Sequence, residues 1–141
     1  GGTEGVHDEG RGETEDMLAV LAEAKRRYGD LPVALAGFSF GAFVQTRVAK
    51  ALVEAGHPAQ RLVLVGTAAG FVEGTRSYDT EAVPGDTIVI HGSEDETVPL
   101  ANVLEWAKPL ELPVTVVPGA DHFFHRRLHV IREIVTRAWR H

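Results

Sequence analysis

Gly37-Phe38-Ser39-Phe40-Gly41 lies between a short apolar run and a segment with helical periodicity. A serine set between two glycines at a strand-to-helix turn is a way of presenting a hydroxyl as a nucleophile. The sharp, strained turn lifts Oγ out of the sheet, and the crowded backbone beside it disfavours Cβ atoms. The start of the following helix, with its free N–H groups and positive dipole end, favours the negative charge that develops on a carbonyl oxygen under attack. A serine hydroxyl also needs a base, and an imidazole base needs a carboxylate to hold its tautomer. Two later loops offer these groups: His91-Gly92-Ser93-Glu94-Asp95-Glu96-Thr97-Val98-Pro99 carries Asp95, and Pro118-Gly119-Ala120-Asp121-His122 carries His122.

Other residues compete for these roles. Glu94 and Glu96 flank Asp95 as alternative carboxylates, although acidic loop residues are ordinarily solvated. His91 falls inside an apolar run, where a packed, hydrogen-bonded histidine is the expected state. His125 and His129 stand four apart, a helical spacing that suits a metal, and Asp121 and His122 lie next to them. Without a third committed ligand such a pair is expected to be surface, so no metal site is assigned. Ser77 and Ser93 lack flanking glycine pairs, and His7, His57 and His141 carry no signal.

The elements that must position Ser39, Asp95 and His122 are readable from four apolar runs: residues 32–37 (PVALAG), 61–66 (RLVLVG), 87–92 (TIVIHG) and 113–119 (PVTVVPG). Each ends in glycine and is apolar at consecutive positions, the pattern of a strand covered on both faces. The spacing between runs is too long for hairpins and suits strand, crossover, strand units of a parallel sheet. Helices are expected over residues 13–28, about 41–55, 99–108 and about 124–140, their apolar stripes facing the core. Residues 67–86 read as a long loop with at most a helical turn, a length that often lines a site. In an open parallel sheet the C-terminal strand ends form one rim where ligands bind, so Ser39, Asp95 and His122 are expected to converge there.

The composition agrees with this architecture and excludes several others. At 141 residues, with 44% hydrophobic and 24% charged residues, the chain has the make-up of one globular domain over 1–141. A net charge of −6 carries no basic footprint for nucleic acid. The absence of cysteine excludes disulfides and thiolate chemistry. No apolar run approaches a membrane span and no targeting signal is visible, so a cytoplasmic location is the expectation. The first residues lack an initiator Met and read as the middle of a loop, which suggests an N-terminally truncated chain.

GFSFGA at 37–42, HGSEDETVP at 91–99 and PGADHFF at 118–124, in this order, resemble the α/β-hydrolase superfamily, in particular its small bacterial dienelactone-hydrolase-like hydrolases. The resemblance spans the whole chain. It implies an α/β fold with a mostly parallel sheet and helices on both faces, of which about four C-terminal strands are present. It further implies Ser39 as nucleophile, Asp95 as orienting acid, His122 as general base and the Phe40 N–H as one oxyanion donor, with no cofactor. By the same resemblance, the turn at residues 1–5 follows the family's fourth strand, and the N-terminal strands and upstream oxyanion loop are missing. The strand beginning at Pro32 would then have an unpaired edge, open to self-association or to a missing N-terminal segment.

The expected function is a serine hydrolase cleaving a small ester, thioester or amide through an acyl-enzyme, in a modest, open pocket for which Phe38, Phe71 and Phe123 are candidate lining residues, although each phenylalanine taken singly is expected in the core. The alternatives are a non-catalytic interaction module that retains the fold and a transacylase that uses a hydroxyl acceptor.

Overall fold

The computed structural model describes residues 10–29, 32–72 and 77–138. The glycine turn at 1–5, His7, the last part of the helix expected to end near 140, and His141 lie outside them. The elements in chain order are α1 (Arg11–Tyr28), β1 (Ala34–Phe38), α2 (Phe40–Glu54), β2 (Arg61–Val65), β3 (Gly70–Phe71), β4 (Ser77–Tyr78), β5 (Ile88–Gly92), α3 (Leu100–Ala107), a 3₁₀ turn (Lys108–Leu110), β6 (Thr115–Val117) and α4 (Leu128–Ala138).

Four strands form a parallel sheet in the order β1-β2-β5-β6. Parallel pairing in register places Leu64 beside Val89 and Val65 beside Ile90, so each neighbouring pair shares a face. Leu35, Leu62 and Leu64 face α2, where Phe43, Val44 and Val48 are buried and α1 adds Met17, Leu18 and Leu21. On the same side Val89 meets α3 through Val103 and Ala107. Val63, Val65, Ile90 and Val117 face the opposite way and meet Ile131, Ile134 and Val135 of α4. Helices therefore cover both faces, and this double cover is why the central strands are apolar at successive positions.

β1 differs from its neighbours. Leu35 is buried, but Ala34, Ala36 and Phe38 on its other face are exposed. Among the described residues β1 pairs with β2 alone.

Three local expectations need correction. The segment 67–86 is not a loop with a helical turn: β3 and β4 form a small antiparallel pair within it. The last helix begins at Leu128, not near Phe124, because Phe124 (φ 53) and Arg126 (φ 63) adopt left-handed conformations that no helix can pass through. Phe124 is instead a fully buried member of the core under α4. α3 begins at Leu100, with Pro99 in an extended conformation capping it from outside.

Phe43 is 1% exposed and packs edge-on against Tyr78, joining α2 to the β3–β4 pair. Phe43→Ala is expected to lower the unfolding free energy by about 3–5 kcal/mol, as for other deep aromatic truncations. Urea denaturation followed by circular dichroism checks it, and a loss under about 1 kcal/mol would mean that this ring is not part of the packed core.

Candidate active site

The turn after β1 carries Ser39 at φ 58, ψ −120, a conformation that is strained for any residue with a Cβ. Its surroundings hold it there. The Ser39 N–H donates to the Val65 carbonyl at 2.8 Å, and the Ser39 carbonyl accepts from Ala42, Phe43 and Ala68 at 3.1, 3.3 and 3.2 Å. Gly37 is sterically required, since a Cβ there would lie 2.6 Å from the Gly41 carbonyl oxygen and 2.7 Å from Ala42 Cα. Gly41 is not: a Cβ at that position meets nothing within 4 Å, which corrects the expectation that crowding demands both glycines. Helix α2 starts at Phe40, so the first amide groups of the helix, which have no carbonyl partner within it, gather beside the serine.

Asp95 sits in the loop after β5 with no exposed side-chain surface. Its Oδ1 accepts from the backbone N–H groups of Thr97 and Val98 at 2.9 and 2.7 Å. Glu94 and Glu96, the competing carboxylates, point to solvent. The loop is tied to the next one by Ser93 N–H donating to Val117 (3.1 Å), Glu94 N–H donating to Ala120 (3.0 Å) and Gly119 N–H donating to Ser93 Oγ (2.7 Å). At the crossing of the two loops an alanine Cβ at Gly92 would lie 2.3 Å from the Ala120 carbonyl oxygen.

His122, 4% exposed, completes the constellation. Its Nδ1 is 2.7 Å from Asp95 Oδ2 and its Nε2 is 2.9 Å from Ser39 Oγ. An ionised carboxylate only accepts, so Nδ1 carries the proton and Nε2 is left to accept from the serine hydroxyl. The imidazole lies between Phe38, whose ring centroid is 4.9 Å away, and Phe123 at 5.1 Å. Gly66, at φ 58, faces it from the end of β2, and a Cβ there would stand 3.2 Å from His122 Cε1. Ser39, Asp95 and His122 thus meet at one rim of the sheet although they are far apart in the chain.

Two histidines behave differently from their sequence readings. His125 does not share a helical face with His129, because it lies in the turn before α4 and bonds Asp121 through both its backbone N–H and its Nδ1. These bonds hold the Asp121 carboxyl below its ordinary value. Among the described residues no three His, Asp or Glu side chains are grouped to hold a metal ion. His91 is fully buried and packed, as expected, but it also touches the site: its Nε2 is 2.7 Å from the Val98 carbonyl and 3.3 Å from Asp95 Oδ2. Burial pushes its pKa below the ordinary 6.5, against the Val98 carbonyl and Asp95, which raise it, while His122 adds to the lowering. The sequence reading missed Gly66, Gly92 and the link from His91 to Asp95. The His-Gly pair closing the third apolar run was the only local signal for two of them.

A parallel sheet covered on both faces, with a strained serine after one strand and an acid and an imidazole after two later ones, is the α/β-hydrolase arrangement. The thioesterase domain family matches residues 3–132, and the chain belongs to that family. Its fold is similar to that of a lidless α/β serine hydrolase from Xanthomonas campestris (34% identity, TM-score 0.76), over 94% of this chain and 57% of that one. It is also similar to an α/β serine hydrolase homologue from Coxiella burnetii (32% identity, TM-score 0.73), over 92% of this chain and 60% of that one. A type II thioesterase of the yersiniabactin biosynthetic pathway shares the fold at 21% identity and a TM-score of 0.63, over 91% and 73% of the two chains. The chain therefore spans less than two thirds of the length of the first two. Among curated proteins none matches the sequence. No helix among the described residues is long and apolar enough to cross a membrane.

Two measurements follow from this geometry. Ser39→Gly is expected to be more stable than Ser39→Ala by about 1 kcal/mol, because only glycine occupies φ 58, ψ −120 without strain. Denaturant titration of the pair decides it, and equal midpoints would contradict the strain. For His91 the unfolded chain binds a proton that the folded chain does not, between the lowered folded pKa and 6.5. Stability therefore falls as pH drops below about 6.5 and is recovered above it. The difference in unfolding free energy between pH near 7.5 and pH near 5.5 is expected to shrink in His91→Gln.

Proposed function

We propose that the chain carries the nucleophile, base and acid of a serine hydrolase that cleaves a small thioester, ester or amide through an acyl-enzyme. The observation that supports this most directly is the unbroken hydrogen-bonded line from Ser39 Oγ to His122 Nε2 (2.9 Å) and from His122 Nδ1 to Asp95 Oδ2 (2.7 Å). In this reading Ser39 Oγ attacks the acyl carbon as its proton passes to His122 Nε2. Asp95 stabilises the resulting imidazolium and keeps its orientation. The carbonyl oxygen, now negative, lies against the start of α2, where the Phe40 N–H is one donor. The leaving thiolate, alkoxide or amine takes the proton from His122. A water molecule then repeats the sequence on the acyl-serine, releasing the acid and restoring the serine hydroxyl.

Membership of the thioesterase domain family favours a thioester within this substrate class. Phe38 and Phe123 flank the imidazole at 41% and 59% exposure, which fits an open, apolar approach to the serine. The Xanthomonas relative is described as lacking a lid, and a similar openness here suits a small acyl group. Phe71 sits on the β3–β4 pair at 65% exposure and is given no part in this approach. The chemistry needs no cofactor, and a cytoplasmic bacterial setting belongs to the same reading.

Ser39→Ala in the full-length protein is expected to lower kcat for p-nitrophenyl acetate and for an acyl thioester by ~10⁴-fold or more, and to abolish fluorophosphonate labelling. Equal turnover by the two proteins, with folding intact, overturns the proposal in favour of a non-catalytic module. Ester formation in preference to acid release when an alcohol is added would identify a transacylase.

A further inference from the structure

We propose that His91 is a positioning residue for the acid: a neutral imidazole protonated on Nε2, whose N–H spans the Val98 carbonyl and the Asp95 carboxylate and fixes the oxygen that His122 uses. The proposal rests on the Ser39, His122 and Asp95 reading above and extends it by a residue that reading leaves idle.

The proton on His91 is assigned by its neighbours. Nε2 is 2.7 Å from the Val98 carbonyl, which can only accept, so Nε2 is the donor. Nδ1 is buried and has no hydrogen-bond partner among the described residues. A lone pair there costs less than an unanswered N–H, so the ring is neutral. The same Nε2 is 3.3 Å from Asp95 Oδ2, and both side chains have no exposed surface.

The role follows from what Asp95 still lacks. Its Oδ1 is held by two backbone N–H groups of its own loop, Thr97 and Val98. That fixes one oxygen but leaves the carboxylate free to pivot about it. Oδ2, the oxygen that must meet His122 Nδ1 at 2.7 Å, has His91 Nε2 3.3 Å away as a second nitrogen neighbour. The titratable groups facing His91 are Asp95 and His122. A charged His91 would compete with His122 for the carboxylate. A neutral donor steadies the carboxylate without that competition. Placement on β5 explains why a strand residue can do this: His91 is four positions before Asp95, and the loop folds back over it so that Val98 and Asp95 both reach its Nε2.

The test compares His91→Leu, which removes the donor, with His91→Gln, whose amide places an N–H near the original Nε2, in the full-length protein with p-nitrophenyl acetate. His91→Leu is expected to lower kcat by ~10- to 100-fold with KM unchanged, the scale of a slightly misplaced catalytic group. His91→Gln is expected to recover kcat to within about 3-fold of the wild type. A folded His91→Leu protein with wild-type kcat overturns the proposal, as does a folded His91→Gln protein that loses as much as His91→Leu. Should His91→Leu fail to fold, ¹⁵N NMR of the wild-type histidines decides. A neutral, Nε2-protonated His91 near pH 7 supports the assignment, and an imidazolium or Nδ1-protonated ring overturns it. Ser39→Ala serves as the separate control: if it retains wild-type turnover, the serine hydrolase reading fails. If it is inactive while His91→Leu is normal, only the role of His91 fails.

Discussion

A carboxyl group with no exposed surface has to be answered by donors from the protein, because a buried polar group without partners costs stability. Asp95 is in that position, and its donors come from separate parts of the chain. Thr97 and Val98 belong to its own loop and His122 arrives from the loop after β6, while His91 on β5 has its Nε2 3.3 Å from Oδ2. The carboxylate can therefore be satisfied only when β5 and β6 lie side by side and their following loops are folded against each other. The Ser93, Glu94 and Gly119 bonds between those loops stabilise that arrangement. Placing His122 is then a consequence of satisfying Asp95, and its second nitrogen is left facing the serine.

This dependence explains what the sequence made legible. The elbow around Ser39 and the order of serine, acid and imidazole are local patterns of residue type. The consecutive apolar residues of β2 and β5 mark strands covered on both faces, and they are so covered. What escaped the sequence depends on neighbours in space. The apolar spacing around residue 124 continues the pattern of α4, yet Phe124 turns into the core with a positive φ, and the helix starts four residues later. Two-residue strands such as β3 and β4 have no periodicity to read. Gly66 and Gly92 look like ordinary strand ends until the His122 ring and the Ala120 carbonyl are placed against them.

The elbow separates two demands that its glycines were expected to share. Gly37 is required by contact, because the strand and the following helix cross at atomic distance there. Ser39 is required to be strained, and no glycine relieves it. The strain is held by four backbone hydrogen bonds, two of them to residues of β2 and the segment just after it. A residue so constrained lowers the stability of the fold while keeping its hydroxyl where the imidazole is, a compromise common at functional sites.

Those two bonds matter because of where β1 lies in the sheet. Among the described residues it has one strand neighbour, and the face bearing Ala34, Ala36 and Phe38 has no helix upon it. The two alanines limit the apolar area this exposes, but they add little packing to steady the strand. The position of Ser39 is consequently set from one side: by the five-residue register of β1 with β2, extended one step by the Ser39 N–H on Val65, and by α2 packed on Leu35. Asp95 and His122 are fixed to each other by the loops that follow β5 and β6, whereas Ser39 is fixed to them through β2 and the segment just after it. The 2.9 Å step from Ser39 Oγ to His122 Nε2 is the joint between these two halves, and loosening of β1 would act on that distance before it disturbed the Asp95 to His122 pair.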